Sequence, residues 1–201
     1  MSAPPPALQS CMADGSADAL GEHLAVAAEA EALLPQVDEV ARALIAVFEQ
    51  DGRLYTFGNG GSSLDAQHFA EELVGRFKRE RRPLPAQSLS VDAAALTCIA
   101  NDYSFDEVFE RQVRAFVRPG DMAVGFSTSG RSPNVVRGLA AARELGATTV
   151  LFGGGGDGGP AAAHADHALV VPSESTARIQ ELHVFFLHVV IDVVDRWAAG
   201  K

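Results

Sequence analysis

Strand-like and helix-like runs alternate along most of this chain, and that alternation constrains the fold more than any other feature. Candidate strands fall at 54–57, 87–90, 122–126, 148–152 and 168–171. Helices are suggested at about 63–77, 93–101, 105–116, 134–145, 160–164 and 176–197. Several of the strands are short and nearly all apolar, as expected when helices cover both faces of a parallel sheet. Crossovers in such a sheet should be right-handed. The pattern predicts a doubly wound α/β domain with helical additions at both ends; the strand order is not encoded in it. Residues 1–17, rich in Pro, Ala and Ser, read as a flexible N-terminal tail. An Ala-, Glu- and Leu-rich stretch follows at 20–34, interrupted by Pro35. A second helical stretch at about 37–50 sets Val40, Leu44, Val47 and Phe48 on one side.

A length of 201 residues suits one domain, and 47% apolar residues supply a substantial core rather than global disorder. The formal charge of −10 argues against nucleic acid or anionic membranes as partners. It leaves room for an anionic metabolite in a locally positive pocket. Cys11 and Cys98 lie far apart in unlike contexts and form no disulfide or zinc framework, so a reducing, cytoplasmic compartment is expected. The first residues lack the basic and apolar regions of a signal peptide. The apolar run at 184–194 is broken by His188 and Asp192 and reads as a buried helix, not a membrane span.

The first chemical motif is Phe57-Gly58-Asn59-Gly60-Gly61-Ser62-Ser63, which joins a strand to a helix carrying His68 and Glu72. Strand, glycine turn and helix in that order gather backbone N–H groups and a positive helix end at one point, which suits a phosphate. The four-residue spacing puts the imidazole and the carboxylate on one helical face. The loop has serine where the dinucleotide fingerprint has its third glycine, and it lacks the P-loop lysine. A turn needed only for backbone geometry is the competing reading. A second loop, Ser127-Thr128-Ser129-Gly130-Arg131-Ser132-Pro133-Asn134, sets four hydroxyls before another helix and is the stronger phosphate candidate. Ser132 and Asn134 also suit plain turn or N-cap roles. Both loops should emerge at the carboxyl edge of the sheet, where ligands usually bind. The tract 153–159, which holds Asp157, has no comparable hydroxyl array and reads as a flexible turn.

Gln180, Val184 and His188 follow a four-residue step, so Gln180 and His188 border one groove two turns apart. If the two helices approach, His68, Glu72, Gln180 and His188 offer two nitrogens and two oxygens to a divalent metal. Zn, Ni, Co and Fe all suit such donors. A satisfied histidine inside a buried helix is an equally weighted reading of His188. His183 lies on another face, and His164 and His167 border a turn and read as surface residues. The run Lys78-Arg79-Glu80-Arg81-Arg82 reads as a solvated loop. Arg76 and Arg178 are better placed to meet substrate oxygens. Asn101 and Asp102 close a strand–helix connection, where Asp102 is either a partner for sugar hydroxyls or a cap.

These residues also carry a family resemblance. The segments GNGGSSLDAQHFAEELVGRF, AND at 100–102, STSGRSPNV and RIQELHVFFLHVVI occur in that order. The chain resembles the sedoheptulose 7-phosphate isomerase (phosphoheptose isomerase) family of the sugar isomerase (SIS) superfamily over nearly all its length after the tail. The resemblance implies an α/β, SIS-type three-layer domain over 18–201, with a central parallel sheet flanked by helices and an N-terminal helical extension. It implies a homotetramer with active sites between subunits. Phosphate would be held by Ser127, Thr128, Ser129 and Ser132. Asn59, Gly60, Gly61 and Ser62 would border the substrate, with Arg76, Asn101, Asp102 and Gln180 also in the pocket. His68, Glu72, Gln180 and His188 match the positions that hold zinc in zinc-bearing members, one divalent ion per site. Glu72 and His188 match the proposed catalytic pair. One departure is Ala177, where some members have an aspartate before Arg-Ile-Gln. The implied function is isomerisation of D-sedoheptulose 7-phosphate to D-glycero-D-manno-heptose 7-phosphate through an enediol. The alternatives are isomerisation of another sugar phosphate, or a non-catalytic SIS protein that binds a partner or regulates.

Overall fold

The computed structural model describes the backbone of residues 6–200 and the side chains of residues 15–200. Of the segment expected to be a flexible tail, residues 1–5 lie outside the described residues, and 6–17 belong to a first helix, α1, Pro6–Ala30. The Cys11 side chain is outside the described residues, and Cys98 is a free, exposed thiol.

Pro35 marks a helix start as well as an interruption. After a 3₁₀ turn at Glu31–Leu33, α2 runs Leu34–Glu49 with the proline in its first turn, where a missing N–H leaves no intrahelical bond unmade. The predicted face of α2 is buried: Val40, Leu44, Val47 and Phe48 are joined by Val37 and Ala41.

The alternating region then folds as β1 Leu54–Gly58, α3 Gly61–Val74, β2 Ala86–Ser88, α4 Ala93–Asp102, a 3₁₀ turn Phe105–Glu107, α5 Val108–Phe116, β3 Met122–Ser127, α6 Pro133–Glu144, β4 Thr148–Gly153, α7 Gly159–Ala162, β5 His167–Val170 and α8 Thr176–Ala198. All five strands pair in parallel in the order β2-β1-β3-β4-β5. This is the doubly wound arrangement, with its switch point between β1 and β3, where the chain departs toward opposite ends of the sheet.

The strand pleat sorts the core. Leu54 points to one face, where Val124, Phe126, Val150 and Phe152 meet α2, α3 and α8. Tyr55 and Phe57 point to the other, where Ala123 and Leu151 meet α5 and α6. Both faces of the central strands are therefore dry, which accounts for their unbroken apolar runs. The buried Thr56 satisfies its hydroxyl by donating to the Ala66 carbonyl of α3 at 2.6 Å. Phe126 and Phe152 stack at 4.6 Å on the α8 side.

The basic run after α3 is solvated only in part: Lys78, Glu80 and Arg82 are exposed, whereas Arg79 and Arg81 turn inward. The Arg81 side chain is fully buried and donates from Nε to the equally buried Asp195 of α8 at 3.2 Å. It also donates to the Leu73 and Glu72 carbonyls at the end of α3. Arg79 reaches Asp192 and Asp195 at 3.0 and 3.1 Å. These bonds fasten the last turn of α3 to α8. No helix among the described residues is long and apolar enough to cross a membrane.

Candidate functional site

The site grows from three chain segments at the carboxyl edge of the sheet. β1 ends at Gly58 beside Phe126 of β3, so the turns that follow these strands start side by side. Both loops therefore emerge where the sequence placed them. The first turns sharply through Gly60 (φ 54°) into α3. The second runs from Ser127 to Ser132, the N-cap of α6, whose hydroxyl makes no capping bond. Pro133 has no N–H and the Val135 and Val136 amides already bond the Ser132 carbonyl, so the helix start offers an anion chiefly its partial positive charge. Ser127 is buried, and its Oγ accepts from the Gly130 amide at 3.1 Å. Ser129 Oγ accepts from the Arg131 amide at 3.2 Å. Thr128 and Ser132 are half-buried and Ser129 is exposed, so the hydroxyl array faces out from the sheet edge.

The tract 153–159 is packed rather than loose. Gly130 lies so close to Gly158 that a Cβ on Gly130 would sit 1.7 Å from the Gly158 carbonyl oxygen. The Gly130 carbonyl accepts from the Ala161 amide at 3.0 Å. The glycine tract is the bed on which the second loop rests.

The third segment is α8, which packs against α3. His68 Nε2 lies 3.4 Å from Glu72 Oε1 on α3, and His188 Nε2 lies 3.3 Å from His68 Nε2 across the two helices. One donor atom from each of the three falls within 4.8 Å of the others. Gln180, two turns before His188, directs its amide into the first loop. Its Nε2 donates to Ser62 Oγ at 3.4 Å, and a Cβ on Gly61 would come within 2.5 Å of it. A side chain at Gly61 would therefore displace the Gln180 amide from Ser62. Burial lowers the His188 pKa, the neighbouring His68 adds to this, and Glu72 opposes it. Two imidazoles presenting nitrogens to one point beside a carboxylate form a donor set that fits a divalent cation. Among the described residues, His68, Glu72 and His188 are therefore a cluster able to hold a metal.

Several expected site residues stand apart from this centre. Arg76 is exposed, one residue past the end cap of α3, with no hydrogen-bond partner among the described residues. Asn101 and Asp102 end α4 on the surface, with Asn101 Nδ2 donating to Asp102 Oδ1 at 2.8 Å. Arg178 is not free to meet a substrate: it pairs with Glu181 at 2.8 Å, approaches Glu22 at 3.9 Å and bonds the Ala19 carbonyl, tying α8 to α1. His164 and His167 are half-buried rather than fully exposed.

The structure also shows neighbours that the sequence reading left out. Asp65, one turn before His68, is buried with its Oδ2 unpaired among the described residues. Burial pushes its carboxyl up to about 6, against the pull of His68. Its i, i+3 spacing to His68 was the available signal. Phe77 stacks on the His188 ring at 5.7 Å. Asn59 and Asn134 join the two loops by a reciprocal pair of amide bonds at 2.8 and 2.9 Å.

Comparison with known proteins gives a consistent picture. A family model described as SIS domain matches residues 20–154. The phosphoheptose isomerase of Aquifex aeolicus (strain VF5) is 49% identical over 166 residues, 83% of this chain and 86% of the relative. The solved phosphoheptose isomerase GmhA from Neisseria gonorrhoeae superposes with a TM-score of 0.86 at 40% identity, covering 92% of this chain and 98% of the other. A phosphoheptose isomerase from Francisella tularensis gives 0.88 at 33% identity, over 91% and 97% of the two chains. The sugar isomerase domain of an RpiR transcription factor from Sphaerobacter thermophilus, at 14% identity and a TM-score of 0.64, shares the fold alone.

Proposed function

The chain belongs to the phosphoheptose isomerase family of SIS-domain proteins, and from that premise we propose that it interconverts D-sedoheptulose 7-phosphate and D-glycero-D-manno-heptose 7-phosphate. The observation that carries this reading is the convergence of His68, Glu72 and His188 on α3 and α8, two helices that also meet through Gln180 and Ser62 at the loop after β1. Ser127, Thr128, Ser129 and Ser132 hold the phosphate, with the partial positive charge of the α6 N-terminus beside them. Anchoring the phosphate uses remote binding energy to position C1 and C2. Asn59, Gly60, Gly61, Ser62 and Gln180 line the sugar, and Arg76, Asn101 and Asp102, exposed and apart from this centre within one chain, would join the pocket from a neighbouring subunit.

The reaction moves a carbonyl between C1 and C2. Glu72 is the base: it takes the carbon-bound proton, leaving an enediol, and returns it to the adjacent carbon. His188 moves protons between the sugar oxygens. Burial, which lowers its pKa, favours the neutral imidazole that both proton transfer and metal ligation require. His68, Glu72 and His188, joined by Gln180 once its amide turns from Ser62, would hold one divalent cation, and the nitrogen-and-oxygen donor set suits zinc. Such an ion supplies Lewis-acid polarisation of the carbonyl. The protein works in the cytoplasm as a homotetramer with sites between subunits, and it needs neither nucleic acid nor membrane.

NMR of the purified protein with sedoheptulose 7-phosphate in D₂O tests the reading. An aldose heptose 7-phosphate signal should grow, with deuterium entering at C1 or C2. Glu72→Gln, which keeps the shape and loses the base, should cut the rate by about 10²–10⁴-fold. Chelation followed by zinc restoration should remove and return activity. A folded, metal-supplied protein that leaves the ketose unchanged would overturn the assignment.

A further inference from the structure

Asn134 reads from sequence as a turn or capping residue, and its burial points elsewhere. Its side chain is 1% exposed and forms a closed carboxamide pair with Asn59, 75 residues earlier. Asn59 Nδ2 donates to Asn134 Oδ1 at 2.8 Å, and Asn134 Nδ2 donates to Asn59 Oδ1 at 2.9 Å. Asn134 Oδ1 also accepts from the Val135 amide at 2.9 Å. Asn59 opens the turn after β1, and Asn134 lies in the first turn of α6, after β3. The pair therefore bridges the switch point of the sheet, where the two following helices depart to opposite faces.

A carboxamide carries two N–H donors and an oxygen with two lone pairs. The reciprocal pair uses one donor and one lone pair of each residue. Both lone pairs of Asn134 Oδ1 are then engaged, and its buried side chain is closed off from a ligand. Asn59 is half-buried and keeps one N–H and one lone pair in a plane fixed by its partner. A single hydrogen bond would let that plane rotate; two antiparallel bonds do not.

We propose that Asn134 is a positioning residue for the isomerase reaction, acting through Asn59: it fixes the plane of the Asn59 amide toward the sugar and holds the β1–α3 turn in register with the phosphate loop. The inference rests on the reading of Asn59 as a sugar-contacting residue.

A double-mutant cycle in kcat/KM for sedoheptulose 7-phosphate tests it, using the zinc-supplied full-length protein with Asn59→Ala, Asn134→Ala and both. Each single change should lower kcat/KM by about tenfold or more, and the double variant should fall within about twofold of the worse single, because Asn134 has nothing to act through once Asn59 is gone. Losses that multiply would overturn the proposal while wild-type turnover upheld the isomerase reading. Full activity of Asn59→Ala would overturn it too, and a wild-type protein that turned over no heptose phosphate would remove both. Asn134→Asp supplies a second readout if the alanine variant does not fold. Its carboxylate still accepts from Asn59 Nδ2 and the Val135 amide but cannot donate to Asn59 Oδ1. Protonation restores that donor, and burial raises the pH at which it occurs. Activity of Asn134→Asp relative to wild type at the same pH should therefore recover as pH falls. Parallel pH profiles would mark Asn134 as merely structural and sink the idea.

Discussion

At the scale of single residues, the interior histidine His183 shows how a side chain outside the chemistry still sets the working range. Its ring is fully buried edge-on against the stacked Phe126 and Phe152, and Nε2 donates to the Gly153 carbonyl at 3.0 Å. Burial drives its pKa down to about 4, against the pull of that carbonyl. The neutral ring is favoured in the folded state, so its contribution is complete above pH 6.5 and is lost as pH falls from 6.5 toward 4. The total is about 3 kcal/mol at 1.4 kcal/mol per pH unit. Asp65 works in the opposite sense: with its carboxyl raised to about 6, protonation below that pH relieves a buried charge. The two partly cancel in the wild-type protein. Urea unfolding from pH 7 to 4 should show that His183→Gln, which keeps a donor for Gly153, loses less stability than wild type over this window. Identical pH slopes would refute the account. None of this is legible in sequence, because i+3 from Gln180 and i−5 from His188 say only that His183 faces another way. Which wall it meets depends on β4.

At the scale of elements, periodicity and turn chemistry disclosed most of the architecture, since each central strand is a buried apolar run ending at a glycine or serine. From α2 onward the strands and helices lie within a few residues of their expected limits, while α1 begins at Pro6 within the expected tail, and the paired spacing of His68 and Glu72 is local enough to read directly. The errors are those where the partner is far along the chain. Lys78–Arg82 looks solvated until Asp195, 114 residues beyond Arg81, is brought against it. Arg178 looks available until α1 folds over it, and the tract 153–159 looks slack until the Ser127–Ser132 loop lies on it. That last contact makes a prediction. A Cβ on Gly159 (φ 58°) would lie 2.9 Å from Ser129 O and from the Gly130 carbonyl group, whereas one on Gly156 (φ 80°) would meet only Glu174, at 3.8 Å. Both changes to alanine carry the strain of a left-handed residue, about 1–2 kcal/mol, but only the first pushes on the phosphate loop. Gly159→Ala should raise KM for the heptose phosphate about tenfold, a loss of about 1.4 kcal/mol, with kcat within about threefold. Gly156→Ala should keep the wild-type KM. Equal KM shifts in both variants would show strain in the tract, not support of the loop, to be the cause.

At the scale of the molecule, the outer surface of α1 and α8 is unusual for a chain of net charge −10. Leu20 and Leu24 are 58% and 59% exposed on α1, and Phe185 is 50% exposed on α8. Around them, Arg178 pairs with Glu181, and His23 lies 2.7 Å from the same carboxylate. The two helices thus present one braced surface with large apolar groups uppermost, a composition that favours burial against another copy. α8 carries Phe185 of that surface and also His188 and Gln180 of the site. Light scattering of the 21.1 kDa chain should give about four times the monomer mass. Phe185→Glu combined with Leu24→Glu places two like charges on the apolar surface and should shift the species to dimer or monomer at micromolar concentration. If sites form between subunits, specific activity of this variant should fall on dilution in step with the mass, and recover on concentration, while circular dichroism stays unchanged. A variant that remains tetrameric would exclude this surface as an interface. One that dissociates yet keeps concentration-independent activity would show that each chain holds a whole site.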